Sequence, residues 1–197
     1  MPFNVSQFRN TLAFDGARPN LFEVELGGKI LPGIATQKLK FTCRTAQLPG
    51  SSIGTVVVPY FGREVKFAGN RTFPEWTITI INDEDFVVRN YMEDWMNKIN
   101  GHGFNFRNSS FQAPLSYVDT ALVRQFGKAG STSTGGAGDP GKSIKVYEFI
   151  DLFPTDVSPI DLDWGSNDAM EEFTVTFQYQ YWISNTTDER SARSSIR

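Results

Sequence analysis

Residues 135–143 read GGAGDPGKS and contain a complete match to a phosphate-binding motif. From Gly136 onward they spell G-x-x-x-x-G-K-S, the loop in which backbone N–H groups surround the phosphates of ATP or GTP. In that chemistry Lys142 would reach the outer phosphates and the Ser143 hydroxyl would hold magnesium. The motif therefore predicts nucleotide binding, provided that its flanks have the structure the motif requires.

The flanks do not meet that requirement. A phosphate-binding loop joins a buried strand to a helix whose N-terminal amides point at the phosphates. Here the motif follows the low-complexity run GKAGSTSTGG and precedes IKVYEFIDLFP, whose alternating apolar and charged residues are typical of a strand. We therefore interpret residues 127–142 as a flexible loop between two strands. A P-loop nucleotide-binding enzyme stays as the alternative hypothesis that these flanks disfavour.

Other reactive side chains are few, because the chain has one Cys (Cys43) and one His (His102). A lone Cys excludes an intrachain disulfide, and the pair cannot supply a four-ligand Cys/His zinc site. Cys43 lies in the strand-like run KLKFTCR, which favours a half-buried strand residue, and His102 lies in a Gly-flanked loop. The sequence thus predicts no catalytic residue, no cofactor, no metal and no enzyme.

The composition limits the remaining function classes. The 197 residues carry a net charge of -3, with 40% hydrophobic and 14% aromatic residues, which suits one packed β-rich domain. A stable duplex-DNA binder would need an excess of Lys and Arg to neutralise phosphates. No apolar run approaches the roughly 20 residues of a membrane span, and no signal peptide is evident, so we expect synthesis in a cytoplasm.

The hydrophobic periodicity predicts several strands and one helix. The helix lies within 82–103, with Asn82 or Asp83 as its N-cap, and its apolar stripe has helical spacing. Strands are predicted at 20–26, 38–44, 75–81, 117–126, 143–154, 156–164 and 171–182, and a hairpin at 55–69 turns near Phe61-Gly62. The fold class is therefore mainly β with one α-helix, in an antiparallel β-sandwich or barrel. An irregular arm (1–19) precedes the domain (20–184), and a flexible tail (185–197) follows it.

Several blocks of the chain carry a family resemblance. They are ARPNLFEVEL, FTCRTAQLPG, FAGNRTFPEWTITIINDEDFVVRNYMEDW, FPTDVSPIDLDW and EEFTVTFQYQYW. In this order and spacing they resemble the tail tube proteins of T4-like contractile-tailed bacteriophages. The chain looks longer than that family near 27–37, 100–116 and 127–142, which places the phosphate-binding match in a loop insertion.

The resemblance implies a structural role in a virion. Six subunits would form a ring whose sheets merge into one barrel, and stacked rings would form the inner tail tube that delivers DNA after sheath contraction. The implied partners are further copies of the chain, the tail sheath protein, and baseplate, tube-initiator and terminator proteins, with DNA passing through unbound. A tube-initiator or baseplate protein, or the inner tube of a phage-derived contractile injection system, remains the alternative of the same class.

Two sets of residues are candidates for assembly surfaces. The run around Val57 is apolar on both faces, so an assembled tube could bury a surface that a lone subunit exposes. Burial on both sides within the monomer is the equal alternative. The predicted inter-subunit or inter-ring contacts are Leu48, Pro49, Val56, Val57, Val58 and Tyr60. A polar strand face is the predicted lining of the lumen or of an inter-subunit surface, and its members are Thr174, Thr176, Gln178 and Gln180.

Overall fold

Nine strands and four α-helices make up the computed structural model, which describes residues 5–12, 16–127 and 143–185. The helices are α1 (Val5–Thr11), α2 (Gly33–Thr42), α3 (Val87–Ile99) and α4 (Pro114–Tyr117), with a 3-10 turn at Ser109–Phe111. The strands are β1 (Phe22–Leu26), β2 (Cys43–Ala46), β3 (Ser52–Tyr60), β4 (Arg63–Thr72), β5 (Trp76–Ile81), β6 (Asp119–Phe126), β7 (Ser143–Val157), β8 (Glu172–Gln178) and β9 (Tyr181–Ser184).

The long strand β7 joins two antiparallel sheets. Its first part lies between β6 and β9, with β1 beyond β6, and its last residues pair with β8, beyond which lie β5 and β2. Asp151, with φ of 55°, and a register shift after Pro154 mark the change of sheet. Strands that pass from one sheet to another through such irregularities form the corners of sandwiches. The predicted antiparallel β architecture is confirmed, although the strand continues past Pro154.

The core lies between these sheets and is closed by α3. On β5, Trp76, Ile78 and Ile80 are fully buried and pair with the aromatic and aliphatic residues of β8. The Trp76 ring also stacks on Phe149 of β7, with the ring centres 4.3 Å apart. From α3, Val88, Met92 and Trp95 add the predicted apolar stripe. Burial of each such side chain contributes roughly 1.5–3 kcal/mol, so this layer dominates the stability of the subunit.

The largest error of the sequence prediction concerns 27–44. We expected a loop at 27–37 and a strand at 38–44, but residues 33–42 form α2. The fold therefore has more than one helix packed on the sheets, not one as predicted. Ala35 and Leu39 are four residues apart and buried on one face of this helix. The alternation of Leu39, Phe41 and Cys43 suggested a strand, yet Phe41 is exposed. Of these three residues only Cys43 is in a strand, as predicted, where it begins β2.

Smaller corrections concern the ends of elements. Residues 5–11 of the predicted irregular arm form α1. The helix α3 starts after Phe86, and neither Asn82 nor Asp83 caps it. Strand structure ends at Val157, so 158–164 are not strand, and the expected strand at 171–182 is interrupted after Gln178. Most of the predicted loop at 127–142 and of the tail at 185–197 lies outside the described residues. No helix in the described ranges is long and apolar enough to cross a membrane.

Candidate assembly surfaces

Strands β3 and β4 form a two-stranded sheet of their own, separate from the two core sheets. They are joined by Phe61 and Gly62, with φ of 45° and 78°. Consecutive positive φ values characterise the two-residue hairpin turns whose twist matches that of the strands. The predicted hairpin and its turn are confirmed.

A bulge bends the hairpin near its base. The register shifts between Ile53 and Thr55, which leaves an extra residue on β4. A Cβ at Gly69 would lie 3.0 Å from the backbone oxygen of Gly54, so the close approach of the two strands requires glycine there. Bulges increase the local twist and redirect a strand.

The base of the hairpin is attached to the core by hydrogen bonds. The indole of Trp182, in β9, donates to the backbone oxygen of Gly50 at 3.0 Å. The indole of Trp76 donates to the oxygen of Gln47 at 2.9 Å. Between these two anchors lie exposed Leu48 and half-buried Pro49. The hairpin is therefore held at a defined place on the subunit.

The two faces of the hairpin differ in polarity. Directly opposed residues share a face, so one face carries the pairs Val56–Phe67 and Val58–Val65, followed by Tyr60 opposite Arg63. We call this set the hairpin apolar face. The other face carries Thr55–Ala68, Val57–Lys66 and Pro59–Glu64. The expectation that the Val56–Val58 run is apolar on both faces is thus wrong, because Val57 lies among polar residues.

The hairpin apolar face is open to solvent. Val56 is 52% exposed, Val58 44% and Phe67 55%. Burial of this strand on both sides within the subunit, the alternative considered from the sequence, is therefore wrong. Exposed contiguous apolar surfaces are common at interaction sites, so this face is a candidate assembly surface.

A second surface is the polar outer face of the sheet that contains β5 and β8. Thr176 lies opposite Thr77, with hydroxyl oxygens 3.3 Å apart, and Thr174 lies opposite Thr79. At the end of the row the Gln178 amide donates to Glu75 at 2.8 Å. These predicted face residues lie together and are half-buried. Gln180 lies apart from them, in the segment between β8 and β9, where its backbone N–H donates to Ile150.

Charged side chains are paired along the outer face of the other sheet. Arg124 contacts Glu23 at 3.0 Å and Glu25 at 2.5 Å, and Lys40 lies 3.1 Å from Glu25. The hydrogen bond from Arg124 holds the pKa of Glu25 below its ordinary value. These ion pairs link β1, β6 and α2.

Among the described residues, Cys43, His102 and Ser143 are those that the sequence singled out for their chemistry. Burial raises the pKa of Cys43 to about 12, so its thiol stays protonated and is a poor nucleophile. His102 is exposed. Ser143 begins β7, as predicted, where a phosphate-binding loop would open a helix. Within the described ranges no three His, Cys, Asp or Glu residues are grouped to hold a metal ion.

Comparison with known proteins places the chain in a family. The family model described as "Phage tail tube protein" matches residues 6–185. The chain belongs to the phage tail tube protein family. This tail tube chain is 33% identical over 168 residues to the tail tube protein gp19 of Enterobacteria phage T4, covering 85% of this chain and 91% of that protein. The resemblance identified from the sequence is confirmed.

Two solved structures share the fold of the tail tube chain. One is the sheath-tube complex of the extracellular contractile injection system PVC in the extended state, with TM-score 0.56 and 16% identity, covering 93% of this chain and 98% of that chain. The other is the tube-terminating cap of the anti-feeding prophage, with TM-score 0.58 and 14% identity, covering 86% and 90%. At these identities the likeness concerns the fold.

Proposed function

We propose that this tail tube chain is a structural virion subunit that assembles into stacked hexameric rings, forming the inner tube of a contractile tail. The observation that carries the proposal is the hairpin apolar face, which is exposed although its strands have the cross-strand pairing of a buried sheet. The name of the phage T4 relative, a tail tube protein, supports the same role. DNA passes through the tube, and the subunits catalyse no reaction.

Open sheet edges support assembly around a ring. Among the described strands, β1, β2 and β9 each pair with a neighbour on one side only. Unpaired edges readily pair with other chains, and closure into a barrel removes them. A head-to-tail contact between copies forms a ring when the rotation from one copy to the next closes on itself, and it forms an open filament when it does not. Stacked rings therefore need one contact that closes each ring and another that joins successive rings.

The assembly contacts include the residues predicted from the sequence. Val56, Val58 and Tyr60 lie on the hairpin apolar face, and Leu48 and Pro49 lie at its anchored base. In this proposal a neighbouring copy covers these five residues. Val57, on the opposite face, contacts a more polar surface.

The Thr-rich outer face around Thr174 and Thr176 is the proposed lining of the lumen. The Thr77 and Thr176 hydroxyls bond to each other and the Gln178 amide donates to the Glu75 carboxylate, so this face presents dipoles and a negative charge rather than cations to passing phosphates. A conduit lined by Lys and Arg would bind DNA in a salt-dependent manner. We expect duplex DNA to bind weakly or not at all at physiological ionic strength, and tight, salt-sensitive binding would contradict the lining.

Electron microscopy of the purified protein, combined with sedimentation over rising concentration, tests the proposal. We expect six-fold rings and hollow tubes with an axial repeat. Monomers that persist at high concentration would overturn it. A tube initiator would form single rings or stop at short stacks, whereas a tube subunit continues to elongate.

The partner proteins follow from the same role. A tail tube subunit contacts the sheath protein on its outside and initiator, baseplate and terminator proteins at its ends. Incubation of preformed tubes with purified sheath subunits, followed by microscopy, should show decoration along the whole length.

The P-loop hypothesis has its own test. Lys142→Ala should leave assembly and any nucleotide retention unchanged, because a strand begins at Ser143. Magnesium-dependent ATP binding that this variant loses would restore the enzyme hypothesis.

A further inference from the structure

An acidic cavity lies between the start of α3 and the chain that leads into β8. Its volume is about 320 Å³. The lining residues are Asn82, Asp83, Glu84, Phe86, Ala169, Met170 and Glu171. Phe86 and Met170 give it apolar walls that solvent reaches.

The charges around this cavity are mainly negative. Lys38 contacts both Asp83, at 2.7 Å, and Asp85, so one cation faces two carboxylates. Glu171 accepts a hydrogen bond from the Asn82 amide, and within the described part of the chain Glu84 has no ion pair. The adjoining segment 158–171 contains four acidic residues and no Lys or Arg. The cavity therefore has an excess of negative charge.

The tip of the β3–β4 hairpin has the complementary chemistry. Phe61 is 90% exposed, and its ring meets that of Tyr60 edge to face with centres 4.5 Å apart. Arg63 follows on β4, and Lys66 lies three residues further along, on the opposite face of the strand. Among the described residues neither cation forms an ion pair. The tip thus presents aromatic surface beside unpaired positive charge.

We propose that the hairpin tip of one copy inserts into the acidic cavity of a second copy. The Phe61 ring then packs between Phe86 and Met170, and the Arg63 guanidinium lies against Glu84 and Glu171. This inference rests on the proposed function, since it requires that copies assemble, and it names the surface that receives the hairpin. The contact joins two different surfaces of the same chain, so each added copy presents a free tip or a free cavity to the next.

A charge-swap experiment tests the pairing. Arg63→Glu places like charges in contact, which costs enough to raise the protein concentration needed for assembly by about tenfold or more. Glu84→Lys has the same effect, and the double variant Arg63→Glu/Glu84→Lys restores assembly toward the wild-type concentration. Asp94→Lys is the matched control on α3, because the Asp94 side chain is 47% exposed, its one ion pair within the described residues is with Lys98, and it lies outside the cavity.

Cross-linking gives a readout that does not depend on charge. The variant Phe61→Cys/Met170→Cys replaces two exposed side chains, and the native Cys43 is half-buried, with the pKa of its thiol raised by burial to about 12. Oxidation of assembled protein should yield a ladder of covalent oligomers larger than dimers. Each single variant should give no such ladder.

The outcomes separate this contact from the proposed function. If tubes form but Arg63→Glu assembles like wild type and no ladder appears, the cavity contact is wrong while the tube role stands. If the wild type forms neither rings nor tubes, the proposed function fails, and the contact fails with it.

Discussion

The strand pairs β5–β8 and β3–β4 have similar apolar cross-strand pairs but differ in how far these pairs are buried. In β5–β8, Trp76 lies opposite Phe177 and Ile78 opposite Val175. In β3–β4, Val56 lies opposite Phe67. The pairs named from β5–β8 are fully buried, whereas Val56 and Phe67 are largely exposed. Cross-strand pairing therefore specifies local structure in both strand pairs, but only the apolar residues of β5–β8 are covered by other parts of the subunit.

The hairpin depends on other support in the isolated subunit. A two-stranded hairpin is at best marginally stable alone in water. Here the turn at Phe61-Gly62 and the indole bonds from Trp182 and Trp76 hold it in place. Assembly would add the burial that the subunit lacks. We therefore expect core substitutions to affect folding, and hairpin substitutions to affect association.

The largest expected effect on folding comes from Trp76→Ala. It removes a fully buried indole and its bond to Gln47, and such truncations cost about 3–5 kcal/mol of unfolding free energy. Urea denaturation followed by tryptophan fluorescence or circular dichroism measures the loss. A loss below about 1 kcal/mol would show that β5 is not a core strand and that the two strand pairs do not differ as described.

Asp119 comes next. This buried carboxylate accepts hydrogen bonds from the backbone N–H groups of Ile30, at 3.1 Å, and Thr120, at 2.8 Å, and it fits only because Gly27 lacks a Cβ. Asp119→Ala leaves those N–H groups unpaired, at a cost of about 1–3 kcal/mol in urea denaturation. Asp119→Asn keeps one acceptor oxygen and should lose less. Equal losses for the two variants would contradict this assignment.

A pH-dependent effect is expected at Glu25. Arg124 lowers the pKa of Glu25 in the folded subunit, so ionised Glu25 contributes stability above its ordinary pKa. That contribution is lost as the pH falls from the ordinary value through the lowered one. Glu25→Gln should therefore be less stable than wild type at pH 7, and the difference should shrink toward pH 3. A difference that stays constant in urea denaturation between these pH values would refute the linkage.

The smallest effect on folding is expected from the hairpin variant Val58→Thr/Phe67→Thr. Both positions are exposed and Thr favours strands, so the unfolding free energy should change by about 0.5 kcal/mol or less. Assembly, in contrast, should be lost, as seen by sedimentation and microscopy. Val57→Thr, on the polar face, is the matched control and should assemble nearly normally. Normal assembly of the double variant would mean that the hairpin apolar face is not an interface.

The sequence correctly predicted β5 and α3, because the spacing of their apolar residues fits only a strand or only a helix. It also predicted the hairpin turn, which Gly62 indicates. Around α2 the apolar spacing is ambiguous: Ala35 and Leu39 have helical spacing, whereas Leu39 and Cys43 are also compatible with the alternation of a strand. The packing of this segment on β1 and α3 selects the helix. The acidic cavity could not be predicted, because 82–86 and 169–171 meet only in the folded chain.

Hydrogen exchange measured on assembled and dissociated protein tests most directly whether the hairpin is covered by other copies. We expect peptides from 52–72 to exchange rapidly in the dissociated subunit and to become strongly protected in the tube. Peptides from β5 and β8 should be protected in both states, because the subunit itself buries them. Equal exchange of residues 52–72 in the two states would show that other copies do not cover the hairpin.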